Sequence, residues 1–300
     1  MLHRAIETAV RDATGRKVAI AESTPVGGGC INDARILLLE DGGRLFAKSN
    51  ASAPPEMFER EAEGLRALAA AGAIRVPRDP VAGRAGGVSF LVMEAVPTGR
   101  PKADFFTAFG RRFARLHRET VHEAPAPFGF PHDNYLGSTP QPNGWTAGWV
   151  DFFRERRLGH QLRLARESTR TGGLSDPELD RLGGRLLDRL GEWLDLPEEP
   201  ACLLHGDLWS GNYLSDEAGD PVLIDPAAYY GHREADLAMT ELFGGFDHTF
   251  YDAYEAEWPL PPGSPERREL YKLYHLLNHL NLFGRGYRAR CVEILRRFAG

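Results

Sequence analysis

The sequence predicts an α+β protein of two lobes, a small antiparallel-sheet lobe with one key helix followed by a larger, mainly helical lobe. Three observations carry that prediction. The first ninety-odd residues fall into short apolar runs separated by glycine-bearing turns, the pattern of antiparallel strands. A single alanine-rich stretch with helical spacing interrupts them. Beyond Pro97 the apolar residues recur at helical spacing instead. The expected organisation is a first lobe over 1–93, a hinge over 94–98 and a second lobe over 99–300.

Each element has a local reason. "MLHRAIETAVRDATG" mixes charged and apolar residues at helical spacing, predicting an opening helix rather than a signal peptide. "KVAIAESTPV", the turn Gly27-Gly28-Gly29, "CINDARILLLE", the turn Asp41-Gly42-Gly43 and "RLFAKSN" read as strand, turn, strand, hairpin, strand. The stretch from Pro55 to Gly72 places Phe58, Leu65 and Leu68 on one helical face and ends in a glycine suited to closing a helix. "GVSFLVMEAV" reads as one more buried strand. In the second lobe, Asp104 is placed to cap a helix carrying Phe109, Phe113 and Leu116. Residues 124–145 are rich in Pro and Gly and read as an ordered loop or insert. Ser175 with Glu178 forms a capping box. Ser264-Pro265 opens the last long helix, striped by Leu273, Leu276, Leu277 and Leu280.

Composition narrows the function classes. With 42% hydrophobic and 26% charged residues, the 300-residue chain is of the globular type and long enough for a sizeable core. A net charge of −6 argues against nucleic acid as a partner, because such proteins present a basic face. No apolar run approaches the ~20 residues of a membrane span. Cys30, Cys202 and Cys291 are far apart and odd in number, which suggests no disulfide framework, a reducing compartment and a cytoplasmic protein.

The chemistry concentrates in "LLHGDLWSGNYL", Leu203 to Leu214, and in "VLIDPA" shortly after it. Moving a phosphoryl group requires neutralised phosphate charge, a divalent cation and an oriented acceptor hydroxyl. A flexible turn at Gly27, Gly28 and Gly29 lets backbone N–H groups approach phosphates. Lys48 on the following strand supplies a cation for phosphate, and Glu61 on the predicted helix supplies its anionic tether. Asp207 suits a group that accepts the acceptor hydroxyl's proton. Asn212 and Asp225 offer hard oxygens of the kind Mg²⁺ takes when phosphate and water complete its shell. Singly, each has a plainer reading: a triple glycine is usually just a turn, and Lys48 or Glu61 alone an exposed surface residue. The ordered set is what points to phosphoryl transfer.

Those segments resemble the kinase-like superfamily and, within it, the fructosamine kinase (ketosamine-3-kinase) family. "GGGCIND", "LFAKSN", "MFEREAEGL", "LLHGDLWSGN", "LIDPAAYYGHREADLAM", "ELFGGF" and "LYHLLNHLNLFG" are similar to that family's blocks and together span residues 27–284. The resemblance implies a bilobal protein-kinase-like fold with ATP and Mg²⁺ as cofactors. It implies phosphorylation of the 3-hydroxyl of sugar residues attached to amines by glycation, free or protein-linked. The phosphorylated adduct is unstable and falls apart, so the implied activity is deglycation repair. It also implies that Asp207 is the catalytic base, that Asn212 and Asp225 bind metal, that Lys48 pairs with Glu61 around the phosphates, and that Met93, Glu94 and Ala95 form the adenine-binding hinge. "GGGCIN" in place of GxGxxG, and "DPA" in place of DFG, depart from the protein-kinase pattern and make peptide hydroxyls poor acceptors. Two rival readings are another small-molecule phosphotransferase, for an aminoglycoside or amino alcohol, and a non-catalytic nucleotide-binding module.

For the acceptor, Trp209 offers an aromatic face to a sugar or a cationic amine, against the alternative of a core tryptophan. Tyr230, His232 and Glu234 are placed to line the same cleft, with Asp236 bracing the catalytic loop by hydrogen bonds. His275 and Asn278, with His279 one turn on from His275, are expected either to line the acceptor cleft or to be ordinary packed residues. Cys30, abutting the glycine turn, is a candidate redox site, which makes the expected state a monomer or a redox-dependent homodimer. Arg154, Arg156, Arg157, Arg163, Arg166 and Arg170 read as a solvated helical face or as a steering patch for anions.

Overall fold

The computed structural model describes residues 1–27, 32–167, 176–196 and 198–300. The first lobe is built on a five-stranded antiparallel sheet: β1 (Ile20–Pro25), β2 (Asp33–Leu39), β3 (Arg44–Asn50), β4 (Val81–Ala85) and β5 (Val88–Glu94), in the order β1-β2-β3-β5-β4. Helix α1 (Leu2–Thr14) covers one face and α2 (Met57–Ala71) the other. The period of two along β5 explains both contacts. Phe90 and Val92 join Ile6 and Val10 of α1, while Leu91 and Met93 join Phe58, Ala62, Leu65 and Leu68 of α2. A strand buried on both faces needs an unbroken apolar run, and "SFLVM" supplies it. The predicted strands and the α2 helix are all present, Gly72 closing α2 in the left-handed region at φ +66°. Strand β4 is additional: "VAGRA" carries too little apolar pattern to announce itself.

The second lobe contains α3 (Phe105–Glu119), the hairpin β6 (Asn134–Leu136) and β7 (Thr139–Gln141), α4 (Trp149–Phe152), a π-helical turn (Phe153–Leu158), α5 (Gly159–Glu167), α6 (Pro177–Arg189) and α7 (Gly191–Leu194). There follow β8 (Cys202–Leu204), β9 (Tyr213–Ser215), β10 (Pro221–Leu223), β11 (Tyr229–Gly231), α8 (Glu234–Leu242), α9 (His248–Glu257), α10 (Ser264–Phe283), a 3₁₀ turn (Arg285–Tyr287) and α11 (Arg288–Ala299). An aromatic core of Phe109, Phe113, Phe250 and Tyr254 joins α3 to α9. The leucine stripe of α10 is buried as expected, and the shorter α11 follows it. The segment 124–145 contains the β6–β7 hairpin. Its residues Asn134 and Gln141 donate side-chain hydrogen bonds to the carbonyls of Ala228 and Ala227. Asp176 caps α6 by accepting from the Leu179 N–H. Ser175, the expected cap, lies outside the described residues.

Arg157 corrects the reading of the arginine run as one solvated face. It is fully buried, lies 3.9 Å above the Tyr229 ring centroid, and donates to Pro142 O and Asn143 Oδ1. Arg166 pairs with Asp180, and Arg170 lies outside the described residues. Among the described residues no helix is long and apolar enough to cross a membrane.

The chain leaves β5 at Glu94 and enters the second lobe beside β9: Thr98 bridges to Asp216, and the Gly99 N–H donates to Ser215 O. Arg75 ties this junction, donating to Glu94 at 2.7 Å and to Asp216 at 2.7 Å, while its carbonyl accepts from the Leu223 N–H.

Candidate active site

Strand β8 delivers the loop "HGDLWSGN" between the two lobes. Gly206 sits at φ +81°, and a Cβ there would lie 2.1 Å from Ala227 O, so the turn admits only glycine. The loop is held from beneath by Asp236 in the first turn of α8. One carboxylate oxygen accepts from the His205 N–H at 2.7 Å and the other from the Gly206 N–H at 2.8 Å. His117 Nε2 lies 3.2 Å from the same carboxylate, and its Nδ1 meets the Tyr254 hydroxyl at 2.7 Å. Burial pushes the Asp236 pKa up, but the His117 bond, the neighbouring imidazoles and the Gly206 amide outweigh it and hold it below the usual carboxylate value. His205, buried and shifted toward its neutral form, donates through Nε2 to Ile224 O and accepts the Asp207 N–H at Nδ1. The bracing role read for Asp236 from the sequence is the one it takes.

Asp207 is thus fixed by its own backbone. Asn212 is turned toward it by the bond from its N–H to Trp209 O. The Asn212 amide nitrogen donates to Asp207 O at 2.7 Å and Oδ2 at 3.2 Å, so both bonds use nitrogen and leave the amide oxygen for another partner. Burial, followed by the negative charge of Asp225, raises the Asp207 pKa well above the usual carboxylate value. A carboxylate so shifted is a stronger proton acceptor than a solvated one.

The β9–β10 hairpin carries the chain on to Asp225, which stands at φ +55°, an uncommon backbone state for a residue other than glycine. Two bonds fix it there: the Ile224 N–H to Asn212 O and the Ala227 N–H to His205 O. From above, Lys48 of β3 places Nζ 2.8 Å from Glu61 and 2.5 Å from Asp225. Burial alone would lower the Lys48 pKa. The charges of Asp225 and Glu61 reverse this and raise it, so the ammonium is kept. Helix α2 reaches this position because Gly64 lets it approach Pro226 and Ala228; a Cβ there would lie 3.3 Å from each.

The structure therefore brings Lys48, Glu61, Asp207, Asn212 and Asp225 together. Gly27 is an exposed bend, and Gly28, Gly29 and Cys30 lie outside the described residues. Met93 is buried at the end of β5; the Glu94 N–H is engaged by Arg78 O, and strand pairing stops before Ala95. Trp209 is 38% exposed, its ring against Gly211, where a Cβ would come within 2.4 Å of it. Several proposed acceptor residues are corrected. His232 is buried against the Trp149 ring, with centroids 4.6 Å apart. Glu234 is buried and paired with Arg267, and Asn278 is buried beside Gln161. Tyr230 packs on His122, Trp145 and Phe130, and His275 is an interior residue of α10. For His232, Glu234, Asn278 and His275, helix and strand packing claims a polar side chain that sequence alone cannot distinguish from a cleft residue, while Tyr230 stays half-buried among rings. Sequence reasoning missed His117 and Arg75, because neither sits in a recognisable motif.

This cleft, with a buried lysine–carboxylate bridge above a braced aspartate, defines a kinase-like phosphotransferase. The sequence model of the fructosamine kinase family matches residues 2–299. A protein of Synechocystis described as a probable ketoamine kinase is 43% identical over 287 residues, covering 96% of this chain and 93% of that one. A chloroplastic protein-ribulosamine 3-kinase of Arabidopsis thaliana is 42% identical, covering 94% of this chain and 83% of that one. A solved structure assigned as a fructosamine-3-kinase of Thermobifida fusca superposes with a TM-score of 0.82 at 35% identity, covering 97% of each chain. The chain belongs to the fructosamine kinase family.

Proposed function

We propose that this protein is an ATP- and Mg²⁺-dependent kinase that phosphorylates the 3-hydroxyl of ketosamines, the sugar adducts of amines, in the cytoplasm. The observation that carries the proposal is the pairing of a braced, proton-hungry Asp207 with the Lys48–Glu61–Asp225 bridge across the cleft. In the reaction the acceptor's 3-hydroxyl oxygen bonds to the γ-phosphorus and the bridging β–γ oxygen leaves with ADP. The hydroxyl proton passes to Asp207. Lys48 exchanges its contact with Asp225 for the nucleotide phosphates while Glu61 keeps it oriented. The donor set suits Mg²⁺: the free amide oxygen of Asn212 and the second carboxylate oxygen of Asp225 are two hard ligands, with phosphate and water to fill the rest. When bound, the cation neutralises charge on the transferring phosphoryl group. Met93, Glu94 and Ala95 lie along the edge where adenine is placed, with residues 94–98 as the hinge. Trp209 faces the sugar or its cationic amine. The phosphorylated adduct then falls apart and frees the amine.

The test is a panel of acceptors with ATP and Mg²⁺: a ketosamine, an aminoglycoside and an amino alcohol, analysed by mass spectrometry for the phosphorylated product. Ketosamine turnover is expected to dominate. Preferred turnover of either other class would assign a different small-molecule phosphotransferase, and ATP binding without turnover of any acceptor would leave a binding module.

A further inference from the structure

Three of the large apolar side chains most exposed on the described surface belong to one connected strip: Trp209 at 38%, Phe243 at 41% and Phe283 at 54%. The strip begins two residues after Asp207. The Trp209 ring meets Phe243 edge-on with centroids 6.4 Å apart, Phe243 lies 4.8 Å from the His279 ring, and His279 lies 5.4 Å from Phe283 and 5.1 Å from Tyr287. Its parts come from the catalytic loop, the end of α8, the end of α10 and the 3₁₀ turn. Exposed aromatics from three separate segments, joined ring to ring through the half-buried His279, are not scattered surface residues.

The strip is also fixed to the catalytic loop. Gly245 stands at φ +92° directly over Ser210, where a Cβ would come within 2.4 Å of the serine Cβ, and the Tyr213 hydroxyl donates to Gly245 O. Phe243 is therefore carried on a turn pressed against the loop that holds Asp207 and Trp209. His279 is shifted toward its neutral form by burial, and Glu241, the nearby carboxylate of α8, is taken up by Arg268 and Lys272. What the rings themselves offer a ligand is π surface, with the exposed Arg285 in the same 3₁₀ turn as Tyr287.

We propose that this strip is a specificity subsite for the amine-bearing part of the acceptor, and that its occupant is the peptide chain flanking a ketosamine-bearing lysine. The inference presupposes ketosamine phosphorylation at Asp207. A sugar seated between Asp207 and Trp209 directs its amine substituent outward, and the strip is the wall that continues from Trp209. Three successive ring contacts lead away from the sugar site, from Trp209 to Phe243, His279 and Phe283. A free amino-acid adduct covers only its first step. Aromatic faces of this kind favour apolar and cationic side chains beside the modified lysine.

The test measures kcat/KM for two acceptors, the ketosamine of free lysine and the same ketosamine within an eight-residue peptide containing leucine and arginine, in wild type, Phe243→Ala and Phe283→Ala. The ratio of peptide to free acceptor is the readout, because any loss of folded enzyme cancels in it. The ratio is expected to fall about tenfold in each variant, the scale of a lost aromatic contact, and to recover in Phe283→Tyr. A ratio unchanged by both alanine substitutions, with wild type active on both acceptors, would overturn the subsite alone. Wild type inactive on both acceptors would overturn the ketosamine function and the subsite with it.

Discussion

The catalytic loop and the lysine bridge above it are held by different means. Asp207 stands on a loop fixed from below by main-chain donors to Asp236, with His117 and Tyr254 behind them, all buried. Asp225, across the cleft, has 40% of its side chain exposed and is reached by one flexible lysine from the other lobe. Under the proposed mechanism the fixed carboxylate takes the proton, where misplacement is costly, and the carboxylate with an exchangeable partner admits phosphate and cation. Rigidity and exchange are thus divided between two loops that touch each other through main-chain bonds.

Four substitutions or titrations separate the two regions. The largest effect is expected from Asp207→Ala, which should lower turnover at least ~10²-fold, the scale of a lost general base, with nucleotide affinity by calorimetry nearly unchanged. Full turnover in that variant would remove Asp207 from the chemistry. Lys48→Met should reduce turnover by about 10², the low end of the scale for a lost electrostatic donor, and raise the KM for ATP. Asp236→Asn should differ from Lys48→Met in the KM for ATP. It is expected to lower stability by about 1–3 kcal/mol, because one of two buried amides loses its charged acceptor, and to lower kcat with the KM for ATP held. Equal changes in KM for the two variants would erase the distinction.

The smallest effect is a pH dependence. The raised pKa of Asp207 means that the folded state binds its proton where an unfolded carboxylate has already lost it. Stability therefore falls as pH rises through that window. Asp207→Asn abolishes the loss, so the ligand-free variant should melt a few degrees higher than wild type at pH 7, with the gain shrinking toward pH 4. Asp236 has the opposite sign. Its depressed pKa contributes stability above the ordinary carboxylate range that is lost as pH falls through the folded value. A Tm of Asp207→Asn below wild type at pH 7 would contradict the assignment of Asp207 as the desolvated carboxylate.

The same contrast explains what was legible in the sequence. Lys48, Glu61, Asp207, Asn212 and Asp225 are readable because they are groups of the kind phosphoryl transfer uses, met in the order of the family blocks the sequence resembles. Gly206 can be read as part of the motif, but its φ of +81° beneath Ala227 O emerges only on folding. His232, Glu234, His275 and Asn278 read as cleft residues for one reason. A polar residue beside a motif looks the same whether it faces a ligand or an arginine such as Arg267, and that choice is made by packing between distant segments. The aromatic strip was legible only at Trp209 and His279, since Phe243 and Phe283 are ordinary apolar positions until three-dimensional contact aligns them with those two. The β6–β7 hairpin, short and proline-bearing, falls below what alternation can signal.

The most direct measurement is the position of the new phosphate. Wild type is incubated with ATP, Mg²⁺ and a ketosamine labelled with carbon-13 in the sugar, and the product is observed by carbon and phosphorus NMR before the adduct decays. Phosphorus coupling at the sugar's third carbon, present with wild type and reduced to trace in Asp207→Asn, is the predicted result. Phosphate on another hydroxyl, or equal product from both proteins, would contradict the account.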